Sequence, residues 1–69
     1  MTVAKVIELV GESKVGWEDA VKNAIEDASR TVENMRGVEV YNWTASIDNG
    51  KIVDYKANIK VAFGVNSNR

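Results

Sequence analysis

The chain has 69 residues, nine of them basic and ten acidic, for a net charge of -1, and it contains neither cysteine nor histidine. That length holds one small domain, residues 1–69, and the missing residue types exclude disulfides, thiolate metal sites and the commonest general base. The two signs of charge are interleaved along the chain, which argues against a nucleic-acid or anionic-membrane surface.

A domain of this size buries only about 60% of the surface its unfolded chain exposes, so oligomerisation is the expected source of further stability. The opening MTVAKVIELVG is interrupted by Lys5 and Glu8, unlike a signal peptide. No apolar run is long enough to span a bilayer. The expectation is a soluble cytoplasmic protein. No nucleophile–base pair can be assembled without His or Cys, so an enzyme is not expected.

Thr2 to Val10 reads as the first strand. Val3, Ile7 and Leu9 share one face with Lys5, while Ala4, Val6 and Val10 share the other with Glu8. Both faces are largely apolar, so the second is expected to meet another subunit. Gly11 to Gly16 follows as a loop. From Trp17 to about Met35 the spacing is helical, with Trp17, Ala20, Val21, Ala24, Ile25, Ala28, Val32 and Met35 on one face. On its outer face Glu18–Lys22 and Glu26–Arg30 are i,i+4 pairs in the favourable order.

Gly37 to Ile47 is the second strand, and Asp48-Asn49-Gly50-Lys51 is a tight turn whose Asn-Gly pair suits a type I′ hairpin. Lys51 to Val65 is a long alternating strand, with Val53, Tyr55, Ala57, Ile59, Val61, Phe63 and Val65 on its apolar side. A two-residue loop sets the register. Val38 then falls opposite Val61, Val40 opposite Ile59 and Thr44 opposite Tyr55 on the face the helix covers. Glu39 opposite Lys60, Tyr41 opposite Asn58, Trp43 opposite Lys56 and Gly37 opposite Ala62 occupy the reverse face. The tail Asn66 to Arg69 is polar and expected to fray. The fold class is α+β: strand, helix, strand, strand, with a three-stranded antiparallel sheet packed on one helix. Its reverse face carries too much apolar area for a monomer and should line an interface or cavity.

The segments KVIELVGESK, GWEDAVKNAIEDASRTVENM and YKANIKVAFGV, in this order and spacing, resemble the dodecin family over nearly the whole chain. Lys5 to Gly11, Ser13, Trp17, Glu18, Ala20, Ala24, Ile25, Tyr55, Val61 and Phe63 fall on family positions. The resemblance implies a hollow homododecamer with the helices outside, storing or sequestering a flavin (riboflavin or FMN) without catalysing a reaction. Flavin-binding members carry a tryptophan after the helix, which stacks on the isoalloxazine ring, and a glutamine after the third-strand tyrosine. Gly37 and Lys56 stand at those positions here. Glycine has no aromatic face, and lysine donates to a flavin carbonyl but cannot accept from the ring N–H. The expected ligand site is therefore a modified pocket near Arg36, Gly37 and Lys56. Trp43, on the same predicted face, lies about 20 Å along the strand from Gly37, too far to share its pocket within one subunit. The family also includes a calcium-binding subgroup that lacks the tryptophan. For that alternative the candidate oxygen ligands are Glu8, Glu39, Asp48 and Asp54, without the EF-hand spacing. A purely structural assembly is the other alternative.

Overall fold

The computed structural model describes residues 2–66. It contains β1 (Thr2–Ser13), α1 (Trp17–Ala28), β2 (Met35–Asp48) and β3 (Lys51–Asn66), the order read from the sequence. The sheet is antiparallel with strand order β1-β3-β2, so the long alternating strand is its centre. Positions 67–69 of the expected frayed tail lie outside the described residues.

The helix is shorter than its periodicity predicts, ending at Ala28 and not near Met35. The Ser29 hydroxyl donates to the Glu26 carbonyl at 2.7 Å, and Arg30 and Thr31 donate to carbonyls three residues back, which tightens the last turn. Asn34 then adopts a left-handed φ of 62°, reversing the chain into β2. Met35 is consequently a strand residue opposite Phe63, still in contact with the core but from the sheet side. The Glu18–Lys22 pair forms at 4.0 Å, whereas Arg30 turns to Asp27 at 3.6 Å and not to Glu26.

β1 runs three residues beyond its predicted end because Gly11 lets the helix close over it. A Cβ at Gly11 would overlap the Ala20 carbonyl oxygen. Ser13, buried, then ties the loop to the helix. Its hydroxyl accepts from Val15 N–H at 2.8 Å and donates to the Asp19 carboxylate at 2.7 Å. Gly16, extended at φ 172°, offers no side-chain cap, so this Ser13–Asp19 link stabilises the helix start in its place.

The hairpin turn forms as expected, with φ of 55° at Asn49 and 77° at Gly50. Gly37, Val38, Glu39 and Val40 also meet their predicted partners Ala62, Val61, Lys60 and Ile59. Between these two regions the register differs by one. Tyr41 is an extra residue on β2 and Val53 an extra residue on β3, so the two bulges compensate. Asn42 therefore faces Asn58, Trp43 faces Ala57, Thr44 faces Lys56 and Ala45 faces Tyr55. Under strict alternation Tyr41 and Trp43 would share a face. The bulge separates them and sends Trp43 to the helix side, where its ring meets Trp17 edge-on at 6.3 Å. Trp17 also contacts Tyr55 at 4.8 Å, and its indole N–H donates to the Thr44 carbonyl at 2.9 Å.

The buried core consists of Ala20, Ala24, Ala28, Ala57, Ile59 and Val61. Alanines on both helix and strand allow close approach but bury little apolar area. The molecule measures 57 × 20 × 12 Å with a radius of gyration of 14.5 Å, against about 11 Å for a compact chain of this length. Its accessible surface is 4990 Å², above the roughly 4,300 Å² of a typical monomer of this mass. The excess is the hairpin, which projects past the helix and leaves Ile47, Ile52 and Val53 exposed. No helix among the described residues is long and apolar enough to cross a membrane.

Candidate functional site

The helix covers one face of the sheet, and the reverse face is assembled in rows by the strand register. Ala4 stands opposite Gly64. Val6, Ala62 and Gly37 form the next row across all three strands, followed by Glu8, Lys60 and Glu39. Val10, Asn58 and Asn42 come next, and then Glu12, Lys56 and Thr44. The face is thus apolar at the Ala4 and Val6 rows and becomes polar and charged from the Glu8 row onward, with Val10 among amides. Val6 and Val10 are 57% and 59% exposed, which leaves this apolar surface without a cover from its own chain.

A hollow of about 310 Å³ opens at the second row, lined by Val6, Gly37, Val38, Glu39, Lys60 and Ala62. The space beside Gly37 is open, since a Cβ built there meets nothing within 4 Å. Its far rim is polar. The Lys60 ammonium lies 5.1 Å from the Tyr41 ring centroid, and the Tyr41 hydroxyl donates across β3 to the Glu8 carboxylate at 3.5 Å. A second, smaller hollow of about 130 Å³ reaches Gly37 from the helix side, between Ile25, Met35, Arg36 and Val61.

Gly37 lines both hollows, and Arg36 lines the smaller one on the helix side. Lys56 does not join them within one chain. It sits between Glu12 and Thr44, six residues along β3 from Ala62, or about 20 Å. Trp43, placed on the reverse face by simple alternation, is on the opposite side of the sheet and lines neither hollow. Of the carboxylates considered for calcium, Glu8 and Glu39 flank Lys60 in one row. Asp48 is at the hairpin turn, and Asp54 faces Ser46. No three His, Cys, Asp or Glu side chains come together among the described residues.

Val6 is a lining residue that the sequence does not point to, because the pairing of β1 with β3 spans the whole chain and has no short turn to set it. The glycine at position 64 was a readable signal. A glycine inside an otherwise continuous strand marks a bulge or a close approach.

The sequence matches the family profile described as Dodecin over residues 3–66. It is 30% identical over 63 residues to the calcium dodecin of Mycobacterium tuberculosis, covering 91% of this chain and 89% of that one. Among solved structures it is similar to the dodecin from Streptomyces davaonensis, at 29% identity and a TM-score of 0.90, covering 96% of this chain and 97% of that one. It is also similar to the M. tuberculosis calcium dodecin, described as calcium chelating with a novel calcium-binding site. That match has 31% identity and a TM-score of 0.80, and it covers 97% of this chain and 96% of that one.

Proposed function

We propose, from the premise that this chain belongs to the dodecin family, that it is a cytoplasmic, non-catalytic homododecamer that stores or sequesters a small flat ligand of the flavin class, riboflavin or FMN. The observation that carries this reading is the uncovered sheet face, with its hollow at Val6, Ala62 and Gly37. Self-assembly is supported by the small alanine-rich core, the exposed valines of β1 and the elongated shape, all of which gain from burial against further copies. Turning the reverse faces inward encloses the hollow and raises its apolar contribution to binding.

The ligand residues in this proposal are Arg36, Gly37 and Lys56. Arg36 lines the smaller hollow on the helix side, and Gly37, its neighbour in the chain, lines the larger hollow. Lys56 reaches it only from a neighbouring copy. Gly37 supplies no ring, and Trp43 is turned away, so stacking between indoles does not fit this chain.

The test combines mass and retention. Light scattering of the purified protein should give twelve times the 7.6 kDa chain mass. Equilibrium dialysis against riboflavin and FMN should show retention. A monomer, or an assembly that retains neither flavin, would overturn the reading.

The similarity to calcium dodecin favours calcium as a second reading. The carboxylates of a single chain do not fit a calcium cage, since Lys60 stands between Glu8 and Glu39 and Asp48 and Asp54 lie elsewhere. A calcium site here needs donors from several copies. Calorimetry with calcium showing no heat, together with an unchanged melting temperature in chelator, would remove this reading.

A further inference from the structure

We infer that the Arg36 guanidinium serves as the flat plate on which a planar ring stacks, in place of an aromatic side chain. This inference rests on the carrier reading above and concerns the same site. Its starting point is the first irregularity of β2. Met35 faces Phe63 and Gly37 faces Ala62, leaving Arg36 as an extra residue. A two-for-one bulge of this kind re-aims a side chain, and here it turns Arg36 onto the reverse face beside Gly37.

The side chain lies on Gly64. A Cβ built at Gly64 would sit 2.7 Å from Arg36 Nη2, 2.8 Å from Nε and 2.9 Å from Cζ. The Nε–Cζ–Nη2 side of the guanidinium thus lies obliquely over the glycine, in the space a side chain would fill. Gly64 is buried under it. The backbone holds this arrangement, because Gly64 N–H donates to the Asn34 carbonyl at 2.9 Å and so fixes the start of β2 against β3.

The other face of the guanidinium is free. Arg36 is exposed and takes part in no hydrogen bond or ion pair among the described residues. A guanidinium is planar, delocalised and weakly hydrated, and it stacks on aromatic faces in a way an ammonium cannot. The plate adjoins the hollow, since Gly64 is two residues, about 7 Å, from Ala62 on the same face. An electron-rich or anionic heteroaromatic ring on the plate can therefore extend its remaining rings or substituents over the Gly37 opening.

The experiment is equilibrium dialysis of the assembled protein with riboflavin and with FMN, comparing wild type, Arg36→Lys and Arg36→Tyr. The lysine keeps the charge and loses the plane, while the tyrosine keeps a plane and loses the charge. Arg36→Lys is expected to weaken both flavins about tenfold, and Arg36→Tyr to hold riboflavin within a few-fold of wild type. Equal retention by wild type and Arg36→Lys would overturn the plate while leaving the carrier reading intact. So would a loss confined to FMN, which would mark Arg36 as a phosphate contact. Should Arg36→Lys fail to assemble, loss of riboflavin by Arg36→Tyr decides against the plate. Wild-type protein that retains neither flavin removes both readings together.

Discussion

Replacing Gly37 with tryptophan should convert the open hollow into a tight flavin site. A Cβ at this position meets no atom within 4 Å, and Gly37 is not among the residues with positive φ, so the backbone accepts a side chain there. Replacing glycine where the backbone is compatible also favours the fold, by about 0.4–1 kcal/mol. One face of an indole covered by a ligand removes roughly 100 Å² of apolar surface from water, worth about 2.5 kcal/mol at 25 cal/mol per Å². Stacking adds about 0.5–1.5 kcal/mol. The total of about 3–4 kcal/mol corresponds to a fall in Kd of roughly two to three powers of ten. Fluorescence titration of the Gly37→Trp assembly with riboflavin reads both the affinity and the stronger quenching expected from an adjacent indole. Unchanged affinity and unchanged quenching, with assembly size preserved, would refute the placement of the ligand at Gly37.

Other substitutions test the framework that positions the site. Gly11→Ala should prevent the helix from seating on β1, because its Cβ would overlap the Ala20 carbonyl, and circular dichroism should show a large loss of melting temperature or no folded protein. Ser13→Ala removes the hydroxyl shared by Val15 N–H and Asp19 in a part-buried spot and should cost about 0.5–1.5 kcal/mol by denaturant titration. Trp17→Phe retains ring contact with Tyr55 but loses the bond to the Thr44 carbonyl, a cost of about 0.5–1.5 kcal/mol, whereas Trp17→Ala should cost about 3–5 kcal/mol. Equal effects of the two Trp17 variants would show that packing against Tyr55 contributes nothing.

The parts of the fold that were legible in the sequence are those governed by local chemistry. Asn49-Gly50 specifies a turn that few other pairs would make, and the turn delivers the correct pairing at both ends of the hairpin. The alanine spacing of the helix identifies its buried face, although not its end. Periodicity continues through Val32 and Met35, but the backbone tightens to i−3 bonds at Arg30 and Thr31 and turns left-handed at Asn34. Trp43 was misplaced for a related reason. Alternation assumes an unbroken pleat, and a bulge at Tyr41 leaves no mark in a pattern where Tyr41 and Trp43 both suit an apolar face. The competing demands of Tyr41, drawn to Lys60 and Glu8, and Trp43, drawn to Trp17, are resolved only in three dimensions.

The candidate site shows the same division between local and distant information. Arg36 and Gly37 were readable as neighbours, but their relation to Gly64 depends on two segments separated by the whole hairpin. Considered singly, each departs from expectation: a glycine where flavin-binding dodecins carry a ring, an arginine with no partner among the described residues, and a glycine in mid-strand. Together they are physically consistent. Without a side chain at position 64 there is room for a guanidinium to lie over the strand, the bulge at Arg36 aims it there, and the absence of a side chain at position 37 keeps the adjoining hollow open. A side chain at position 64 would displace the arginine from the sheet, and a lysine at position 36 would leave Gly64 uncovered. The absence of a ring at position 37 is therefore not in itself the absence of a ligand surface. The guanidinium presents a planar, cationic group beside the open space at Gly37.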